Sequence, residues 1–178
     1  MTQAMESLCE TLVSVSKPVF VAIDGPCVGF GVALCCLSDV VVATERAYFS
    51  TPYTQLGQVP EGGLSATLAK TVGKSIANDM LLAGRRLTAA EALRSGLVSR
   101  VLWPTEYMRE LTARLDVIGC QQSSSLQASK LLIKSSDDSS ANAIMDAVRG
   151  EIQWLEMFWP SSDFRKSVRN FVENNNFP

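Results

Sequence analysis

Apolar positions recur along the chain with two different periods, and the change between them divides it. Over residues 1–15, Met5, Leu8, Leu12 and Val15 come three or four apart and predict one face of an amphipathic helix, which Lys17-Pro18 ends. Val19 to Ile23 is an unbroken apolar run rich in β-branched residues, the pattern of a buried strand. Asp24-Gly25-Pro26 is turn chemistry. Gly29-Phe30-Gly31 then leads into Val32 to Leu37, apolar and compact enough for a buried helix, and Asp39 to Ala43 is a second buried strand. Strand, glycine-rich turn, short helix and strand make an α/β crossover unit. A third short strand is expected over Ala47 to Phe49. The stretch from Thr51 to Gly63 reads as a long loop punctuated by Pro52, Gly57, Pro60, Gly62 and Gly63. A loop of that length in a compact domain is usually functional.

Leu64 to Val72 and Lys74 to Ala83 have helical spacing, with Gly84 as a stop. Thr88-Ala89-Ala90-Glu91 is a capping box that opens another helix, closed by Gly96. Leu97 to Leu102 returns to a β-branched run. From Thr105 onward the period is helical throughout: Glu106 to Ile118, Leu126 to Ser135, Asn142 to Phe158 and Asp163 to Glu173. Gln121 to Ser125 and Ser135 to Ser140 are polar breaks. The fold class is therefore α/β over residues 1–103 and all-α over 104–178, with no internal repeat.

Composition narrows the chemistry. At 178 residues the chain suits one core. A net charge of −2 speaks against a nucleic-acid partner, which needs a surplus of Lys and Arg. Leu34 to Leu37 and Val40 to Ala43 are separated by Ser38-Asp39, so no segment is long and apolar enough to cross a membrane. Residues 1–14 contain Glu6 and Glu10, have no basic start, and lack the apolar block of a signal peptide. Five cysteines, an odd number that includes the neighbours Cys35 and Cys36, suit a reduced, intracellular setting. The chain has no histidine, which removes Ser-His-Asp and Cys-His catalysis, His-ligated zinc and His general bases. No C-x2-C pair exists for a cysteine zinc site, and no metal is expected. Acid–base work must rest on a carboxylate, Lys, Tyr or Cys.

The segment Lys17-Pro18-Val19-Phe20-Val21-Ala22-Ile23-Asp24-Gly25-Pro26-Cys27-Val28-Gly29-Phe30-Gly31 resembles the signature K-P-x-I-A-A-V-N-G-x-A-x-G-G-G, with Asp39 eight residues after Gly31. Ala47-Tyr48-Phe49-Ser50-Thr51-Pro52, Leu56 to Gly63, Met80 to Gly84, and Ala89 to Val98 follow in matching order. Over residues 17–103 the chain is therefore similar to the crotonase superfamily of enoyl-CoA hydratases and isomerases, and nearest to peroxisomal-type Δ3,Δ2-enoyl-CoA isomerases. The resemblance implies an incomplete crotonase-like ββα spiral core followed by C-terminal helices. It also implies an acyl-CoA thioester as substrate, with CoA part of that substrate and no separate cofactor.

Site residues carry over one by one. The position of Phe30 supplies a backbone N–H to the oxyanion hole, at a helix start where unpaired N–H groups and partial positive charge favour an enolate oxygen. Considered without the resemblance, Gly29 and Gly31 only permit a tight turn. Hydratases carry glutamates at the positions of Ala33 and Tyr53, and neither is an acid here. Glu61, in Val59-Pro60-Glu61-Gly62, stands where the isomerases place their base in S-P-E-G; by itself it would be a solvated loop residue. Val28, Gly29, Tyr53, Leu56 and Gly57 are the expected substrate-binding neighbours. Lys70, Lys74, Arg85 and Arg86 suit a solvated helix face better than a CoA-phosphate site, and Trp154, Phe158 and Trp159 suit core or subunit contacts.

Two other functions resemble this pattern less well. Chromodomain Y-like proteins share T-P-Y-T but carry a shorter Asp at position 61, which would make the chain a non-catalytic acyl-CoA or protein-binding module. A hydratase is opposed by Ala33 and Tyr53. The resemblance further implies that earlier strands, a second oxyanion N–H and most of the CoA-adenine loop belong upstream of residue 1, so that this stretch alone is expected to turn over little substrate. It implies a homo-oligomer, a trimer, built through the C-terminal helices. The expected compartment is a peroxisome or mitochondrion, although Asn175-Asn176-Phe177-Pro178 is no S-K-L signal.

Overall fold

A computed structural model describes residues 2–136 and 141–174. The amphipathic face at the start forms α1 (Thr2–Ser14), and the first apolar run forms β1 (Phe20–Ile23). Next come β2 (Pro26–Val28), α2 (Phe30–Leu37) and β3 (Val40–Thr44). β1 and β3 pair in parallel, from Phe20 opposite Val40 to Ile23 opposite Ala43, so the crossover unit read from the chain is present. The later β-branched run supplies β6 (Arg100–Leu102), which pairs in parallel with the other edge of β3. Two strands escape the periodicity. Pro26 begins β2 rather than ending a turn, and β2 pairs in parallel with β4 (Tyr48–Ser50). β5 (Leu87–Thr88) then pairs antiparallel with β4 and completes a second sheet. Strands of two and three residues are too short to show a period of two, and proline is tolerated at a strand's first residue.

Four helices separate and follow these strands. α3 (Leu64–Val72) and α4 (Lys74–Ala83) follow the long loop, α5 (Ala89–Ser95) follows β5, and α6 (Tyr107–Gly119) follows β6. The capping box is made as the sequence spells it: the Thr88 hydroxyl accepts from the Glu91 N–H, and the Glu91 carboxylate accepts from the Thr88 N–H at 2.8 Å. The main core gathers Val32, Val41, Phe49, Leu64, Leu68, Met80, Leu87 and Leu97 between the sheets and α2 to α5. Asp39 ties the start of the first sheet to the C-terminal helices. Its carboxylate accepts from the Val19 N–H at 2.6 Å and from the Lys130 ammonium at 2.6 Å, with Lys130 only 6% exposed.

The last three helices are α7 (Ser123–Ser136), α8 (Ala141–Phe158) and α9 (Ser162–Asn174). α7 begins at Ser123, inside the polar segment expected to be a break, because Ser123 to Ser125 make its first turn. The second break falls partly on residues 137–140, outside the described residues. α8 is not an outer layer. Its Met145, Val148 and Ile152 join Cys9 of α1 and Leu37 of α2 in a second apolar cluster. The change of period near residue 103 is thus a change of structural class, and the packing runs across it. Trp154, expected in a core or contact, is 55% exposed and stacks on Phe158 at 6.1 Å between ring centroids.

Candidate active site

β2 and α2 meet at a turn that exposes backbone donors. Gly29 donates its N–H to the Ser50 carbonyl at 2.9 Å, which keeps the turn registered on β4. Gly29 is also the N-cap residue of α2, at φ 59° and ψ −118°, a conformation that non-glycine residues avoid. Phe30 is the first residue of the helix, where an N–H has no intrahelical acceptor. Its N–H is therefore available to an external negative charge, as a helix start favours.

The 51–63 loop brings a carboxylate to this turn. Gly62 lies so close to α2 that a β-carbon there would stand 2.7 Å from the Ala33 β-carbon and 2.9 Å from the Phe30 ring. That contact delivers Glu61 to Gly29, with Oε1 3.4 Å from where a glycine β-carbon would project. Tyr53 closes the other side; it is 1% exposed and its ring edge lies 4.0 Å from the same point. From the far side, the Glu151 carboxylate of α8 accepts from the Gly63 N–H at 2.7 Å and the Ser65 N–H at 2.8 Å.

Electrostatics sort the acid–base candidates. Burial, then the like charge of Glu151, raises the Glu61 carboxyl above its ordinary value. The facing Phe30 N–H and Tyr53 hydroxyl work against that rise by favouring the charged form. The Tyr53 hydroxyl is nevertheless a buried group with no partner at hydrogen-bond geometry, so it faces Glu61 without being aligned on it. Burial, and secondarily the charge of Glu61, holds that phenol protonated, well above the usual tyrosine range. Burial likewise pushes the Cys9 thiol up to about 11 and the Cys36 thiol up to about 12. At neutral pH the half-buried Glu61 is the group here able to take and return a proton.

Gly29, Phe30, Tyr53 and Glu61 are thus brought together, with Val28 paired opposite Ser50 just before the turn. Gly57 is not among them: a β-carbon there would meet Ser167 of α9 at 3.0 Å. Leu56 lies next to it in the same turn, its N–H donating to the Pro52 carbonyl. Trp159 fastens this loop from the C-terminal side, donating its indole N–H to Gln58 at 2.8 Å. Arg85 pairs with Asp79 and Glu91, and Arg86 lies over the Tyr48 ring at 5.3 Å. A cavity of about 540 Å³ lies between β1, β3 and α7, lined by Phe20, Val40, Leu126 and Ile133, and none of the four site residues borders it. All five cysteines are free, and among the described residues no cluster of acids, cysteines or histidines is arranged to hold a metal.

Glu151 was the residue that sequence reading overlooked. A signal existed, since it falls on the apolar stripe of α8 between Val148 and Leu155, where a charge must find partners. Its partners are backbone groups 86 and 88 residues away, which no local pattern reveals.

Comparison with known proteins adds relatives to this geometry. The sequence family described as enoyl-CoA hydratase/isomerase matches residues 1–178. The chain is 35% identical over 176 residues to the human chromodomain Y-like protein, covering 97% of this chain and 28% of that one. It is 33% identical over 168 residues to rat enoyl-CoA delta isomerase 2, covering 94% of this chain and 42% of that one. It thus spans less than half the length of these curated relatives. Among solved structures, an enoyl-CoA hydratase/isomerase from Pseudoalteromonas atlantica T6c superposes with a TM-score of 0.87 at 31% identity, covering 96% and 68% of the two chains. An enoyl-CoA hydratase from Mycobacterium avium subsp. paratuberculosis K-10 superposes with a TM-score of 0.91 at 29% identity, covering 99% and 72%.

Proposed function

The chain belongs to the enoyl-CoA hydratase/isomerase family, and from that premise we propose that it carries the base of an isomerase that moves the double bond of a 3-enoyl-CoA to the 2-trans position. The observation that carries this reading is a single acid, Glu61, set against the Phe30 N–H at the start of α2. One carboxylate suffices for a double-bond shift. Glu61 takes a proton from C2 of the thioester, the electron pair moves onto the thioester oxygen, and the Phe30 N–H stabilises the enolate. The same carboxylic acid then returns the proton to C4, and the enolate collapses to the conjugated product. The Phe30 N–H faces Glu61 itself. The thioester oxygen must take that place when substrate binds.

Hydration is disfavoured by the packing as well as by residue type. Water addition uses two acids, and here one of the two positions is Ala33, fully buried beneath Gly62 with no space for a carboxylate. The other is the buried Tyr53. A second reading has a specific observation behind it, the 35% identity to a chromodomain Y-like protein: a module that binds acyl-CoA, or a protein, without turning it over. Glu61, in place of the shorter Asp, favours the enzyme.

Because the chain spans 28% to 42% of these relatives, the activity is proposed for the module within its whole protein. A peroxisomal or mitochondrial setting goes with the isomerase reading. So does self-association, for which α7, with Leu131, Leu132 and Ile133 each at least 60% exposed around it, is the natural element. The test is conversion of trans-3-hexenoyl-CoA to the 2-enoyl product, followed by absorbance. Glu61→Gln is expected to lower turnover by about 10²–10⁴-fold while acyl-CoA binding survives. Equal turnover in the variant would remove Glu61 as the base; binding without turnover in either protein would favour the binding module.

A further inference from the structure

α3 starts without a cap of its own. Gly63, its N-cap residue, has no side chain to offer the first N–H groups of the helix. Those groups are met from α8, where Glu151, 5% exposed, places Oε2 on the Gly63 N–H at 2.7 Å and Oε1 on the Ser65 N–H at 2.8 Å. Both oxygens are occupied by donors, so both must accept. A carboxylate does this, whereas an amide would set its own NH2 against one of the N–H groups. A negative charge at a helix start is also favoured by the helix dipole. Gly63 is two residues beyond Glu61, so the bond that anchors α3 also anchors the turn that carries the acid.

We propose that Glu151 is a positioning residue for Glu61: it clamps the start of α3, holds the Glu61–Gly63 turn against Gly29 and Phe30, and faces Glu61 with its own negative charge. Its effect on turnover rests on the isomerase reading; the clamp and its electrostatic influence do not. The groups facing Glu61 come from four directions: Glu151 from α8, the Tyr53 phenol from the loop, the Cys9 thiol from α1, and the Phe30 N–H from α2. Of these Glu151 is the one whose charge opposes ionisation of Glu61, and it ranks behind burial in doing so. A base raised in this way is a better proton acceptor at C2.

Carbon-13 NMR of glutamate carboxyls in the full chain tests this without depending on turnover, with the Glu61 signal assigned by its loss in Glu61→Gln. Glu61 is expected to titrate above the ordinary carboxyl range, and its midpoint to fall in Glu151→Gln and Glu151→Ala. The acidic limb of the isomerase pH profile is expected to move the same way, with turnover dropping about 10²-fold in Glu151→Ala as the base loses its position. A Glu61 midpoint unchanged in a folded Glu151→Gln protein would reduce Glu151 to a helix cap and overturn the proposal. If both variants unfold, the unmodified chain decides. Glu61 must then titrate above the ordinary carboxyl range, and the Gly63 and Ser65 amides must be protected from hydrogen exchange. An ordinary Glu61 titration or unprotected amides would equally overturn it. Absence of 3-enoyl-CoA turnover alongside a shifted Glu61 would fail the isomerase reading and leave the clamp standing.

Discussion

Glu61 faces Gly29 across the site: the glutamate Oε1 lies 3.4 Å from the point where a β-carbon on Gly29 would stand. The glycine is needed there for its φ of 59° with ψ −118°, since a β-carbon would meet the carboxylate only at ordinary contact distance. Gly29→Ala is expected to cost about 1–3 kcal/mol in chemical denaturation, from backbone strain alone. A variant as stable as the parent would mean that the turn relaxes without strain.

Gly62→Ala is expected to be worse. Its β-carbon would stand 2.7 Å from that of Ala33, on a backbone at φ 69°. The obstructing atoms belong to a packed helix rather than a flexible side chain, so α2 and the loop must separate. A loss of at least about 2 kcal/mol is expected by denaturation. A loss below that would show the Gly62–Ala33 contact to be looser than described.

Glu61 should make the protein less stable as it ionises. Its carboxyl is raised in the folded state by burial and by Glu151. The folded chain therefore holds this proton to higher pH than the unfolded chain does, and stability falls as pH rises from the ordinary glutamate range through the raised folded value. Glu61→Gln is expected to melt higher than the parent at neutral pH, with the difference closing below pH of about 4. A variant that melts lower at neutral pH would contradict the sign.

The α5 cap should show the opposite dependence. Thr88→Ala is expected to cost about 1 kcal/mol by removing the N-cap acceptor. Backbone and hydroxyl hydrogen bonds from Thr88, together with Arg85, hold the Glu91 carboxyl down at about 2. This contribution is complete above the ordinary carboxyl value and is lost as pH falls through about 2. The penalty of Thr88→Ala, measured by denaturation at several pH values, should therefore shrink towards pH 2. A penalty constant over that range would mean that the Thr88 hydroxyl does not bond the Glu91 carboxylate.

Local chemistry was enough to place α3, α4 and the capped start of α5, because apolar spacing, Gly84 and the Thr88–Glu91 pair act within a few residues. Phe30 and Glu61 are singled out only through the resemblance of their motifs to a family, because local chemistry by itself reads a tight turn and a solvated loop acid there. It could not show β2 and β5, whose three and two residues gain strand geometry only by pairing with β4. Nor could it show why Glu61 points inward rather than into solvent. That depends on Gly62 settling against Ala33 and on Glu151 reaching Gly63 from 88 residues away. Periodicity records which face of an element is buried; which charge meets which donor is set by the folded packing of segments distant in the chain.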